Sequence, residues 1–331
     1  MDMKRRQLGK ISAAIAGAAL LPRAFAKPDA AATYPSRPIT LVIPFEAGGG
    51  TDIVGRVIGN KLSEALGQPV VIENRAGGNG SIGANKVAKS APDGHTLTMV
   101  TGSLTVNVTL QGNKQPYDLL RDFVPITQIT SQPYVLVANP TMPVKSLAEL
   151  IALARAKPGT LNFGSSGIGG LSHLSGELFS LLAKIKMTHI PYKGGSPAMN
   201  AVIGGQIQML FSTRIQAHPF ITSGQLRALA VSTATRSPAA PELPTMQEGG
   251  VPGFEVAGWY GMLAPAGTPA AIVEKLNQAI VTILKMPEVR ERMDFDGSVA
   301  VGSSSAAFGA HLRSEVEKWR RVIQEANIPI G

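Results

Sequence analysis

Residues 39–52 read Ile39-Thr-Leu-Val-Ile43-Pro-Phe45-Glu-Ala-Gly48-Gly49-Gly50-Thr51-Asp52, and an amphipathic run follows as far as Leu66. The β-branched and apolar residues at 39–43 predict a strand, the three glycines a close turn, and the run at 51–66 a helix. The unit recurs, with strands expected at 69–73 and 96–100 and a helix at 81–89. Strand and helix alternating in this way belong to an α/β fold with a largely parallel sheet.

The rhythm breaks at 123–138, where two apolar runs (124–129 and 134–138) adjoin without a helix between them. A strand crossing from one body to another fits there. Beyond it the alternation restarts: helix 146–156, strand 161–163, helix 171–185, strand 187–190, helix 197–204, and strands 207–211 and 226–232. A proline-rich stretch at 237–252 leads to 254–263, which can carry the chain back. Helices at 268–284 and 305–327 come too late and with too few strands for a third body, so they are expected to pack on the first. The reading is two α/β lobes joined by two crossing strands, lobe I from 27–134 and 260–331 and lobe II from 135–259. Two such lobes enclose a cleft that closes about the crossings.

The start of the chain reads as a targeting segment over residues 1–26. It has basic Lys4, Arg5, Arg6 and Lys10, an apolar run at 11–21, and the small-residue stop Ala24-Phe25-Ala26. The run falls short of the ~20 apolar residues that span a bilayer. Arg5-Arg6 with Leu8 and Lys10, and Arg23 near the stop, resemble a twin-arginine export signal, from which Gly9 departs. An ordinary secretory leader with an incidental arginine pair is the alternative, and either route leads to the periplasm. The net charge of +9 includes +4 from this leader, leaving a modest +5 without basic clusters. That pattern does not fit nucleic-acid binding and favours encounter with anionic solutes. With no cysteine there are no disulfides, thiolate metal sites or cysteine nucleophile.

In open α/β sheets ligands sit beyond the carboxyl ends of strands, at loops that begin helices. Phe45, Gly48, Gly49, Gly50 and Asp52 occupy such a loop in the first lobe. Ser165, Ser166 and Gly167 occupy one in the second, where 162–170 reads Asn-Phe-Gly-Ser-Ser-Gly-Ile-Gly-Gly. Glycine lets the backbone approach closely, and exposed amides at a helix start attract a carboxylate. Asp52 would repel an anion, so it either caps its helix or receives an amino group or hydroxyl. Thr101 and Ser103, and Ser212 and Arg214, follow strands at the same edge, and Arg214 offers a forked clamp for a carboxylate. His173, one turn before Glu177, either orients the second loop or touches the solute.

Enzymatic readings fail on spacing. Gly167-Ile-Gly169 has Ser172 where a dinucleotide fingerprint needs its third glycine. Gly164-Ser-Ser-Gly167 lacks the glycine spacing of a nucleophile elbow, and no Walker loop is present. The five histidines show no metal spacing. No cofactor is implied.

Several stretches resemble the solute receptors of tripartite tricarboxylate transporters, the Bug receptors. They are 34–38, Pro44-Phe45 through Gly48-Gly49 to Asp52, 71–75 with 77–79, 91–94, 162–173, 189–194, 226–231, Trp259 with 264–269, and Trp319. Together they cover nearly all of the chain beyond the leader. The resemblance implies a type II periplasmic-binding-protein fold and a carboxylate held by both strand-to-helix loops, partly through water. It also implies a two-subunit inner-membrane permease as partner. Phe45, Gly48, Gly49 and Asp52 would form one jaw, and Ser165, Ser166 and Gly167 the other. Glu46 departs from a position where the family commonly has a small residue, which tilts the expected solute from tricarboxylates to a mono- or dicarboxylate or an amino acid. Gln208 stands where Asp is frequent, and Ser212-Thr-Arg214 replaces a usual acidic turn, which makes the second jaw more welcoming to anions. The expected protein is a monomeric receptor of a small organic or amino acid, with a sensory receptor or an exported enzyme on an organic acid as alternatives.

Overall fold

The computed structural model describes residues 33–48, 50–192, 194–294 and 297–328; the leader and Gly49 lie outside them. The first strand, β1 (Ile39–Ile43), is buried along nearly its whole length. Side chains alternate across a strand, so Ile39, Leu41 and Ile43 enter one core while Val42 enters another. The first core also holds Val54, Ile58 and Leu62 of helix α1 (Gly50–Leu66). The second holds Ala84 and Val87 of α2 (Ser81–Ala88). A strand covered by helices on both faces is nearly continuous in apolar residues, which 39–43 supplies save for half-buried Thr40.

The sheet grows outward from β1. It pairs in parallel with β2 (Val70–Asn74) and β3 (Thr96–Thr101). β3 then pairs antiparallel with β9 (Ala257–Pro265), which pairs antiparallel with β4 (Phe123–Ala138). The second half uses β5 (Asn162–Ser165), β6 (Thr188–Pro191), β7 (Met209–Thr213) and β8 (Arg227–Val231). The path is β2-β1-β3-β9-β4-β7-β5-β6, with β8 and the two-residue β10 (Val299–Ala300) also on β4. In each half two outer parallel strands and a third lead to an antiparallel strand, in the orders β2-β1-β3-β9 and β6-β5-β7-β4. The turns after β1 and β5 therefore correspond, as do those after β3 and β7.

The 16-residue β4 joins the halves. Its partner is β9 up to Pro133, and β7 from Tyr134 onward. Pro133 donates no backbone hydrogen bond, which suits the position where the strand changes partners.

The remaining helices are α4 (Leu147–Ala156), α5 (Leu171–Ala183), α6 (Gly195–Ile203), α8 (Ala270–Ile283) and α10 (Ser305–Glu325). Three further helices were not expected: α3 (Gly102–Leu110), α7 (Arg214–Thr222) and α9 (Pro287–Asp294). Residues 102–110 read Gly-Ser-Leu-Thr-Val-Asn-Val-Thr-Leu, a β-branched composition with weak helix propensity. The Thr101 side chain accepts the Ser103 amide at 3.2 Å and caps the turn, and buried Leu104 and Val106 hold it. Pro219 inside α7 hid that helix.

The last helix corrects an expectation. Its first half, through Phe308, Leu312 and Val316, packs on the first half of the sheet. Its second half, through Trp319, Val322 and Ile323, enters the core containing Leu136, Phe163 and Phe211. Twenty-one residues of helix reach about 30 Å, enough to straddle both halves. Contact is close where α10 meets β9: a Cβ on Gly261 would lie 2.1 Å from Phe308 Cζ. Gly261→Ala is expected to lower stability by about 1–3 kcal/mol through overpacking, read as a reduced urea midpoint. An unchanged midpoint would show that Phe308 has room to yield. Among the described residues no helix is long and apolar enough to cross a membrane.

Candidate functional site

The turn after β1 is organised by Asp52. Its carboxylate is only 3% exposed. Oδ2 accepts the Gly48 amide and Arg56 Nε, each at 2.9 Å, while Oδ1 accepts Asn74 Nδ2 at 2.9 Å. Asn74 also donates to the Phe45 carbonyl at 3.1 Å, so the end of β2 staples the turn from below. Burial pushes the carboxyl pKa up, but hydrogen bonds from Arg56, Gly48 and Asn74 and the Arg56 charge outweigh it and hold the group at about 2. Gly48 sits at φ +81°, which a side chain would strain. Of the two roles left open for Asp52, capping fits: it faces its own loop, and so does the Gly48 amide.

The turn after β5 is satisfied in the same way. Ser165, fully buried, uses Oγ to accept the Gly167 amide and to donate to its carbonyl, both at 3.1 Å, and meets His189 Nε2 at 2.6 Å. Ser166 N donates to Ser172 Oγ at 3.0 Å, and Gly169 N donates to His173 Nδ1 at 3.2 Å. The His173 and His189 rings stack at 3.9 Å with Phe163 beyond them. Burial, with His173 adding to it, pushes the His189 pKa down to about 4, keeping that ring neutral near pH 7. The amides of Gly48, Ser166, Gly167 and Gly169 are thus taken by side chains near them in space. These four amides, expected to face a solute, donate instead to acceptors in their own loops and the helices that follow.

Side chains and helix starts converge instead. A cavity of about 150 Å³ is lined by Phe45, Thr51, Thr101, Ser103, Gln132, Tyr134, Leu171, Thr213, Gly258, Trp259 and Tyr260. A second, of about 40 Å³, is lined by Ser166, Ser172, Gly195, Leu210, Phe211, Ser212 and Gln216, and shares Tyr134 and Thr213 with the first. Five helices begin in these walls. α1 contributes Thr51, α3 its cap Thr101, α5 Leu171 and Ser172, α6 Gly195, and α7 the preceding residue Thr213. No lining residue is charged.

Of the residues expected at the site, Phe45, Thr101, Ser103, Ser166 and Ser212 line the cleft. Gly50 borders it, since a Cβ there would meet Tyr260 Oη at 2.5 Å. Asp52, Ser165 and His173 are buried and hydrogen-bonded to the two loops, whereas Gly48 is exposed and Gly167 half-buried, and none of the five is on the lining. Arg214 begins α7 but its side chain runs beside Gly297, off the lining. Glu46 is exposed and Gln208 Oε1 accepts the Asn162 amide at 2.8 Å, so neither lines the cleft. Thr51, Ser172, Gly195 and Thr213 were missed although each marks a strand-to-helix turn. Gln132, Tyr134, Trp259 and Tyr260 belong to the crossing strands β4 and β9, which run along the floor of the cleft.

His173, Glu177 and His189 each place a potential metal-ligand atom within 4.8 Å of the others. The hydrogen bonds to Gly169 and Ser165 commit one nitrogen of each ring to the loop.

Comparison with known proteins agrees with this architecture. The family described as tripartite tricarboxylate transporter family receptor matches residues 54–328. Protein BugT of Bordetella pertussis is 38% identical over 314 residues, covering 94% of this chain and 96% of its own. An R. palustris protein solved with adipate is 36% identical, with a TM-score of 0.80 over 89% of this chain and 99% of its own. MatC from Rhodopseudomonas palustris with bound malate is 33% identical, with a TM-score of 0.76 over 88% of this chain and 100% of its own.

Proposed function

The chain belongs to the tripartite tricarboxylate transporter receptor family, and on that premise we propose that it captures a small carboxylate-bearing solute in the periplasm and delivers it to a two-subunit inner-membrane permease. The family is one of periplasmic solute-binding receptors, not enzymes. The observation that carries the reading is the convergence of five helix N-termini and a ring of hydroxyls on an uncharged cleft. Each helix start attracts an anion by ~0.3–1 kcal/mol, and by as much as ~2 kcal/mol when sheltered. Thr51, Thr101, Ser103, Ser166, Ser172, Ser212 and Thr213 donate to the carboxylate, directly or through water. Phe45 and Leu171 cover the apolar part of the solute.

In this reading Asp52, Ser165 and His173 support the two loops from within, and Gly48, Gly50 and Gly167 shape their backbone. The lobes comprise 27–134 with 260–331, and 135–259, with α10 bracing both. They move about β4 and β9, and the leader is removed after Ala26. Adipate and malate, held by the two R. palustris relatives, define the chemical range to test first.

A panel of organic acids and amino acids added to ligand-stripped protein is expected to give at least one stabilising compound. At one hundred times its dissociation constant, such a compound adds about 2.7 kcal/mol, or about 5 °C in Tm for a chain of this size. Calorimetry should return the same affinity, and deletion of the receptor should abolish uptake of that acid. A flat response across the panel would overturn carboxylate capture. Normal uptake in the deletion strain would overturn delivery.

A further inference from the structure

We propose that the ring of Tyr134 divides the cleft into two end-group sites and sets the separation at which the two polar ends of a solute are read. The inference rests on the carboxylate-capture reading and narrows it to a solute class: short acids with a hydrogen-bonding group at each end.

Tyr134 and Thr213 line both cavities, and they face each other in the β4–β7 register. Thr213 is small, so the tyrosine ring supplies most of the shared wall. The Tyr134 backbone is held by hydrogen bonds and its ring by a close neighbour. The Tyr134 amide donates to Ser232 Oγ and its carbonyl accepts the Ser232 amide, both at 2.9 Å. The ring lies against Gly258, where an added Cβ would stand 2.9 Å from Tyr134 Cε2. The wall also stands where β4 passes from β9 to β7, the part of the strand common to both halves of the sheet.

Each side of the ring offers hydrogen bonding without charge. On the smaller side Ser166, Ser172, Ser212 and Gln216 surround about 40 Å³. That exceeds the ~10–15 Å³ of such space that a single water needs, so it takes one small polar group such as a carboxylate or a hydroxyl-bearing carbon. On the larger side Thr51, Thr101, Ser103 and Gln132 bring polar groups to about 150 Å³, with Phe45 and Leu171 for a short hydrocarbon segment. A solute with a polar group at each end satisfies both sides. An acid with an apolar tail sets hydrocarbon in place of water against one of these polar sets when the cleft closes, which is the costly alternative.

The test is calorimetry of straight-chain dicarboxylates from malonate to suberate, and of monocarboxylates of matching length, against the wild-type protein, Tyr134→Phe and Tyr134→Ala. The wild type is expected to show one preferred chain length, with the monocarboxylate of that length about tenfold weaker or more. Tyr134→Phe keeps the ring and should keep the preferred length. Tyr134→Ala joins the compartments and should move the preference to longer diacids, with about a tenfold change in the long-to-short affinity ratio. Tyr134→Leu, which retains more packing volume, is the second variant should the alanine protein fail to fold. It is expected to shift the preference in the same direction. An unchanged length profile with uniformly weaker binding in Tyr134→Ala or Tyr134→Leu overturns the partition while leaving carboxylate capture intact. A wild-type protein silent to every acid overturns both.

Discussion

Asp52→Ala is expected to cost about 2–3 kcal/mol of folding stability and to weaken binding of the captured acid at least tenfold. The carboxylate is buried, and it accepts from the Gly48 amide, Arg56 and Asn74. Removing it leaves three donors without their acceptor. Arg56 is half exposed and turns to water at little cost, so most of the penalty falls on Gly48 and Asn74. Affinity falls because the freed loop carries Phe45 and the start of α1, both of them cleft wall. Asp52→Asn keeps one oxygen and should lose less. The sign of the pH dependence follows from a folded pKa of about 2 against an ordinary 3.8. The unfolded chain takes up the proton first as the pH falls. The charge therefore contributes fully above about pH 4, by about 2 kcal/mol, and the contribution fades as the pH drops through about 2. Urea titrations of wild type and Asp52→Asn should differ most near neutrality and converge in acid. A gap of the same size at pH 2 as at pH 7 would mean that the ionised carboxylate is not what holds the loop.

Asp52 also marks where the sequence stops being legible. Most strands and the strand-to-helix turns after β1 and β5 follow from alternation and glycine placement, because those signals are local. The crossing strand was legible for the same reason, since two apolar runs without helical periodicity leave β4 little alternative. Which way a loop amide points is not local. Gly48 turns inward because Asp52 is fixed by Asn74, 22 residues away, and Gly167 because Ser165 meets His189, 24 residues away. Glycine-rich turns beside helix starts announce a binding edge, but they do not reveal whether amides or neighbouring hydroxyls form its surface. α3 was hidden by the reverse effect, its β-branched composition being overridden by a threonine cap and by burial of Leu104 and Val106. The floor of the cleft was missed because Tyr134 and Tyr260 become neighbours only when two strands more than a hundred residues apart in the chain cross together.

Glu315→Leu is expected to be the more damaging substitution, costing roughly 3–5 kcal/mol. Glu315 is 5% exposed on the inner face of α10. Its Oε2 accepts Trp259 Nε1 at 3.2 Å and Trp319 Nε1 at 3.0 Å, while Oε1 pairs with Lys318, whose ammonium also lies 4.6 Å from the centroid of the Trp319 ring. Trp259 is cleft wall, and Trp319 belongs to the core of the other half of the sheet. One carboxylate thus ties the floor of the site to the helix that braces both halves. Replacing a buried ion by an apolar side chain can be neutral when its partners go with it. Here the two indole N–H groups stay behind, each costing about 1–3 kcal/mol without an acceptor. Glu315→Gln, which preserves an acceptor oxygen, should lose far less. Glu317→Ala, which removes an exposed pair with Arg320 on the same helix, should change stability by less than about 1 kcal/mol. Adding Trp319→Phe to Glu315→Leu removes one orphaned donor. The double variant is therefore expected to be more stable than the sum of the single losses predicts, by about 1–2 kcal/mol. Strict additivity in denaturant titrations would show that the indoles find other partners and that Glu315 is not the link between the two tryptophans.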